Sequence, residues 1–267
     1  GGKGANQAVA AARAGGDVTF VACVGDDMFG QQAIDGFVSD QIDVKYIVKD
    51  EKAASGVAFI FVDKKGENSI AVASGANFEL TPDHIAQVED AIIGADILVM
   101  QLETPVDTIT AAAKVAKENG VKVILNPAPA QPLEDEMLGN VSILTPNEGE
   151  AELLTGVKVE DDSSAEIAAG ILLDKGLEAV LITLGPRGVF VSTRESSKMV
   201  SGFTVEAVDT TAAGDVFNGA CSVALCENPS LDDAIRFANA AGALSVTKLG
   251  AQPSAPTRQE IEDFLKR

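Results

Sequence analysis

Short apolar runs rich in Val and Ile alternate along the chain with longer segments in which Ala and Leu recur at helical spacing. The alanine-dense stretch 8–14 predicts a helix that begins almost at the first residue. Residues 18–24, bounded by Gly16-Asp17 and Gly25-Asp26, predict a buried strand, and 30–39 a second helix. Two further runs, 57–62 and 69–73, flank the polar turn Asp63-Lys64-Lys65-Gly66-Glu67-Asn68 and predict a β-hairpin within an excursion at about 45–75. From Asp96 onward the pattern is regular: strand 96–101, helix 106–119, strands 121–125 and 141–144, helices near 148–154 and 164–175, strand 179–184. Strands 188–192 and 198–205 follow, then helices near 213–226, 231–248 and 257–266. This order predicts an α/β fold, a parallel sheet with helices on both faces and ligands at the carboxyl ends of its strands. No linker, repeat or low-complexity stretch divides residues 1–267, which read as one domain carrying a small β excursion.

Charge narrows the choice of partners. The chain carries 40 acidic against 20 basic residues, a net charge of −20, and no Lys/Arg cluster, so nonspecific binding to nucleic acid or to an anionic membrane surface is excluded. No apolar run approaches the roughly 18 residues of a membrane span. The single histidine, His84, lies in Thr81-Pro82-Asp83-His84 and reads as the first turn of a helix, and Ser-His-Asp catalysis would have to use it. Cys23, Cys221 and Cys226 have apolar neighbours and no CxxC spacing, so they read as buried thiols of a reducing cytoplasm. Neither a four-cysteine nor a two-histidine zinc site can be assembled.

Two nucleotide-binding patterns fail. Gly2-Lys3-Gly4-Ala5-Asn6-Gln7 has the first two glycines of GxGxxG but Gln7 in place of the third, and neither GxxxxGK[ST] nor GxSxG occurs. The strongest local signal is Asp209-Thr210-Thr211-Ala212-Ala213-Gly214-Asp215 directly before a helix. Small residues at a helix start leave backbone N–H groups open, and with the helix dipole they form an anion site without a cationic side chain. Such a site would let a protein of charge −20 bind a multiply charged anion, as it must if it is a kinase. Asp215 in the first turn is placed to accept a proton from a substrate hydroxyl, while the N–H groups of Ala212, Ala213, Gly214 and Asp215 would stabilise a phosphoryl group in transfer. The alternative for Asp215 is a plain N-cap.

With these motifs in view, the chain resembles the ribokinase-like family of carbohydrate kinases, the superfamily that includes adenosine kinase and fructokinase. The likeness runs from Gly1-Gly2-Lys3-Gly4-Ala5-Asn6-Gln7-Ala8 through Asp209–Asp215 to Gly250-Ala251-Gln252-Pro253-Ser254. It implies ATP-dependent phosphorylation of the 5-hydroxyl of D-ribose, with Asp215 as general base and Gly2, Lys3, Gly4, Ala5, Asn6 and Glu103 at the sugar. Glu103 would otherwise read as a surface carboxylate at a strand end. The resemblance assigns Asn147 and Glu150, in Asn147-Glu148-Gly149-Glu150, to Mg2+ through water; three residues apart, they read as sharing one helix face, and alone as a capped helix start. It gives Thr183, Leu184, Gly185, Pro186, Arg187 and Gly188, with Gly214, to ATP, Arg187 being the one cation there able to meet phosphate. Asn239 falls at the adenine pocket or serves as a packing amide.

The resemblance further implies K+ held by Asp209, Thr211, Ser245, Lys248, Gly250 and Ser254, where Lys248 can offer only its carbonyl. It implies a lid over 45–75 that pairs two copies into a homodimer. Finally, it implies that an opening strand with two sugar ligands, and half of the lid, belong ahead of Gly1. Two other readings stay open: a kinase of the same family for another sugar or a nucleoside, and a catalytically silent fragment.

Overall fold

The computed structural model describes residues 1–62, 68–228 and 230–266; the polar turn expected at 63–68 falls almost wholly outside them. In chain order the elements are α1 (Lys3–Arg13), β1 (Ala22–Gly25), α2 (Met28–Ser39), β2 (Ile47–Asp50), β3 (Val57–Val62) and β4 (Asn68–Ala73). There follow α3 (Pro82–Gln87), α4 (Glu89–Ile93), β5 (Ile97–Met100), α5 (Val106–Glu118), β6 (Lys122–Leu125), α6 (Asp135–Leu138) and β7 (Ile143–Leu144). The remainder comprises α7 (Glu148–Thr155), α8 (Asp162–Leu173), β8 (Ala179–Thr183), β9 (Gly188–Thr193), β10 (Ser197–Ser201), α9 (Ala213–Glu227), α10 (Leu231–Ser245) and α11 (Arg258–Leu265).

The main sheet has six strands in the order β10-β9-β8-β7-β6-β5. Strands β5 to β8 are parallel, and both of their faces are covered. Val123, Leu125, Val180 and Ile182 face one core with Ala112, Ala116, Ala169 and Leu172 of α5 and α8. Ile124, Ile143 and Leu181 face a second core with Val9, Phe217, Ala220 and Ile235 of α1, α9 and α10. The alternation within an unbroken apolar run is what a strand buried on both sides requires.

The sheet departs from the parallel one expected. Strands β9 and β10 each run antiparallel to their neighbours, because only residues 184–187 connect β8 to β9, far too few for a parallel crossover. That turn closes with Leu184 donating to the Gly188 carbonyl, and Gly188 adopts φ 104°.

A second departure concerns residues 18–24. The strand forms only over Ala22–Gly25 and pairs in parallel with β2, outside the main sheet, and its flank at Val18, Phe20 and Val21 is half-buried. These residues line a cleft of about 590 Å³ whose other wall is β5, the terminal strand of the six. The expected hairpin forms, with β3 antiparallel to β4 and Ile60 opposite Ile70. Of the cysteines, Cys23 and Cys221 are buried, burial pushing the Cys221 thiol up to about 12. Cys226 is exposed, contrary to expectation, since α9 is ending there beside Glu227. His84 sits in the first turn of α3, its ring closing a capping box with Thr81. Among the described residues no helix is long and apolar enough to cross a membrane.

Candidate active site

The segments that leave the carboxyl ends of β5, β6, β7 and β8 bring Gln101 and Glu103, Asn126, Thr145 and Asn147, and Thr183 to one edge of the sheet. Over that edge lie the first turns of α1 and α9, which pack along each other. This is where ligands bind on a doubly wound sheet.

Asp215 is the third residue of α9, not its cap. The N-cap is Ala212, held in the left-handed region at φ 62° and ψ 11°, and no side chain caps the helix. A non-glycine residue at positive φ is strained, and here it turns the chain so that a helix start faces the edge of the sheet. Of the four N–H groups expected to form an anion hole, that of Ala213 donates to the Thr210 carbonyl at 3.3 Å. Gly214 and Asp215 therefore offer the first-turn amides best suited to an anion.

Asp215 is 4% exposed. Its Oδ2 accepts from Asn6 Nδ2 at 2.9 Å and its Oδ1 from Gln7 Nε2 at 3.1 Å. Burial pushes its pKa above the ordinary carboxylate value, opposed by the charge of Lys3 and by these two amides. Lys3, the first residue of α1, donates its backbone N–H to Glu103 Oε2 at 2.6 Å. Glu103 is thus the anion that caps α1 from another segment, a favourable charge at a helix N-terminus, rather than a surface carboxylate. Gly2 permits this approach, since a Cβ there would lie 2.7 Å from Glu103 Oε2. Ala5 is buried beneath the loop.

Asn147 and Glu150 meet through a reciprocal capping box rather than a shared helix face. Asn147 is the N-cap of α7, its Oδ1 accepting from Glu150 N and its own N–H donating to Glu150 Oε2, both at 2.8 Å. Burial raises the pKa of Glu150, and the nearby charge of Asp215 adds to this. Among the described residues no group of three His, Cys, Asp or Glu forms a metal cage. A single buried carboxylate beside an amide suits Mg2+ that keeps its waters and arrives with phosphates. Thr183 is bridged to Asn147 and donates its backbone N–H to the Pro146 carbonyl, so the two loops lie side by side, Leu184 buried and Gly185 to Gly188 forming the outer turn. Arg187 is engaged, its Nη2 lying 2.6 Å from Glu148 Oε1 in an exposed pair. Asn239 donates to the carbonyls of Val200 and Ser201, which ties α10 to β10.

The residues expected at K+ come together in part. Asp209 Oδ1 accepts from Thr211 N at 2.9 Å and Oδ2 from Gly250 N at 2.8 Å; the Thr211 hydroxyl first, and then these two N–H groups, depress its pKa. The loops 209–211 and 246–250 are thereby joined. Lys248 directs its ammonium to Glu260 at 2.8 Å, leaving its carbonyl as the sole donor it could offer a cation. Ser245 and Ser254 are fully buried, their hydroxyls donating to Gly242 and Ala251 carbonyls. This donor set of one carboxylate, hydroxyls and carbonyls suits a hard monovalent ion.

Residues 1–258 match the family model described as pfkB family carbohydrate kinase. The chain belongs to the pfkB family of carbohydrate kinases. It is 54% identical to a ribokinase of Haemophilus influenzae over 100% of this chain and 87% of that protein. Among solved structures, this kinase matches a ribokinase from Thermotoga maritima at 40% identity and TM-score 0.92. It also matches an Arabidopsis thaliana ribokinase complexed with ribose and ATP at 32% identity and TM-score 0.95. Each match covers 100% of this chain and 88% of the other. The kinase is accordingly a ribokinase-type phosphotransferase. The sequence gives no role to Gln7, Gln101, Asn126 or Thr145; Gln7 stands in the motif that carries the likeness, yet its one distinguishing mark there is that it is not a glycine.

Proposed function

We propose that this kinase transfers the γ-phosphoryl group of ATP to the primary hydroxyl of D-ribose, giving D-ribose 5-phosphate. The observation that carries the reading is Asp215, a buried carboxylate in the first turn of an uncapped helix with an amide on each oxygen. Asp215 takes the proton of the 5-hydroxyl, the oxygen attacks the γ-phosphorus, and ADP departs. The N–H groups of Gly214 and Asp215 stabilise the charge on the transferring group. Gly2, Lys3, Gly4, Asn6 and Glu103 receive the sugar, their carboxylate, amide and backbone groups matching adjacent hydroxyls. Thr183 to Gly188 and Asn147 receive ATP. Glu150 with Asn147 would hold Mg2+ through water, which supplies charge neutralisation on the phosphates; the Asp209 and Gly250 loops would hold K+ beside the anion site. The hairpin β3–β4 acts as lid and, across two copies, as dimer contact. The cleft beside β5 is where the opening strand of the family fold fits, within a single kinase domain at work in the cytoplasm.

Coupled ADP-release assays with D-ribose, 2-deoxyribose, D-fructose and adenosine test the substrate. The expected result is the highest kcat/KM for D-ribose in the presence of Mg2+. A higher kcat/KM for another acceptor assigns the kinase to that substrate, and ATP binding by calorimetry without turnover of any acceptor overturns the catalytic reading.

Arg187 on this reading exchanges Glu148 for a phosphate. Arg187→Ala should raise the KM for ATP roughly three- to tenfold, the value of one exposed charge-assisted bond, while the melting temperature stays unchanged because an exposed ion pair contributes little stability. An unchanged KM for ATP would remove Arg187 from the nucleotide site.

A further inference from the structure

We propose that Gln7 is a positioning residue for the general base, its side-chain amide held in one orientation by Gln101 and Asn126 so that it fixes the Asp215 carboxylate from the side opposite Asn6. The inference rests on the reading of Asp215 as base and adds to it residues from three other segments of the chain.

Gln7 is 3% exposed, and a buried amide costs free energy unless its groups are paired. All of them are. Gln7 Nε2 donates to Asp215 Oδ1 at 3.1 Å and to Asn126 Oδ1 at 3.3 Å, while Gln7 Oε1 accepts from Gln101 Nε2 at 2.5 Å. The two ends of an amide are assigned from their partners, and here a backbone group decides. The Thr145 carbonyl can only accept, so the group of Asn126 lying 3.1 Å from it is the NH2. Asn126 therefore turns its oxygen to Gln7, and Gln7 must answer with its NH2. A flipped Gln7 would set its oxygen against both Asn126 Oδ1 and the carboxylate, and its NH2 against that of Gln101. Three attractive contacts would become repulsive.

The segments that supply the relay follow β5, β6 and β7, the same strand ends that carry the rest of the site. The sugar loop accommodates it as well, for a Cβ on Gly4 would lie 2.8 Å from Gln101 Oε1. The network continues through the Thr145 hydroxyl, which donates to Asn218 Oδ1 at 2.6 Å, and Asn218 Nδ2, which donates to the Gly214 carbonyl at 2.8 Å. It thus ends on the turn of α9 that carries Asp215. A helix pair that needed only packing would be served by an aliphatic residue at position 7, since replacing matched polar partners by apolar ones is nearly neutral. One amide held on the carboxylate by two further amides is explained by control of that carboxylate.

The charged groups acting on Asp215 are Lys3 from α1 and Glu150 from α7, with Glu103 against the backbone of Lys3. None of them is altered by a change at Gln7. Steady-state kinetics of the full chain with Gln7→Leu should show kcat lowered roughly ten- to hundredfold, the worth of a hydrogen bond to a charged group. KM for sugar and ATP should change less than about threefold, since the lost bond is made to the base and not to either substrate. The acid limb of kcat/KM should move to higher pH, because losing a donor disfavours the ionised carboxylate. Gln101→Leu, which leaves Gln7 without its orienting donor, should move the limb the same way by a smaller amount. An unshifted limb with intact sugar binding by calorimetry overturns the proposal, whatever the loss in kcat. Should Gln7→Leu not fold, Gln101→Leu decides by the same criterion. Asp215→Asn measured alongside separates the two levels: if it stays active the base reading falls, whereas if it is inactive and the Gln7→Leu limb is unshifted, only the relay falls.

Discussion

Replacement of Asp215 by asparagine should lower kcat for sugar phosphorylation by about 10²–10⁴-fold, the usual contribution of a positioned general base. The substitution is nearly isosteric, so the packing of α9 is retained and ATP binding by calorimetry should stay close to wild type. What changes is the proton acceptor and, with it, the pH profile. Asp215 works when ionised, and burial raises its pKa, an effect that Lys3, Asn6 and Gln7 oppose. Activity of the wild type should therefore be full above that pKa and be lost as pH falls through it, at a pH higher than an ordinary Asp would give. In Asp215→Asn the residual rate should no longer follow this limb. A variant within tenfold of wild type across the pH range would show that another group takes the proton.

Gly219→Ala should damage stability and activity together, although the residue touches no substrate. Gly219 lies in α9 where α1 crosses closest; an added Cβ would sit 2.5 Å from the Gln7 carbonyl oxygen, 2.8 Å from Ala10 Cβ and 2.8 Å from Ala11 N. Two of these are backbone atoms, so the helices themselves must separate. Overpacking of this kind costs about 1–3 kcal/mol, which corresponds to a drop of roughly 2–10 °C in melting temperature for a chain of this size. Activity should fall further than stability. Asn6 and Gln7 ride on α1 while Asp215 rides on α9, and a displacement of about 1 Å at a reacting group can cost about 10²-fold in rate. Gly170→Ala in α8 is the matched control: nothing lies within 4 Å of its added Cβ, and helix propensity alone should make it stabilising by about 0.5–1 kcal/mol. Differential scanning fluorimetry and kcat on the two variants check the contrast. A Gly219→Ala protein with the stability and rate of the control would mean that the α1–α9 approach has slack.

Much of the architecture is legible along the chain because its causes are local. The runs at 123–125 and 179–182 are apolar without interruption, as strands covered on both faces must be. The alanine-rich start and the small residues before α9 announce helices whose first turns are open. The limits are equally physical. Residues 18–24 have the composition of a buried strand, yet composition does not say which neighbour supplies the hydrogen bonds: 22–25 found β2, and 18–20 only a single bridge to Asp43. The antiparallel β9 could have been inferred from the length of the 184–187 connection, which matters more than the apolar run that follows it.

At the site the division is sharper. By itself the sequence determined the α/β alternation, the small-residue start of α9 with Asp215 at its beginning, the capped start of α7 at Asn147, and the family to which these motifs point. Tertiary structure alone decided that Asp215 is a held carboxylate and not a cap, that Glu103 caps α1, that Arg187 is paired with Glu148, and that Asn239 packs against β10. It alone decided that Gln7, the residue that spoils a glycine pattern, touches the base. The reason is distance along the chain. Hydrophobic periodicity is a property of neighbours a few residues apart, whereas the partners of Gln7 lie 94, 119 and 208 residues away. The orientation of each amide in that relay follows from the others, so it exists only once the strand ends and the two helices have met.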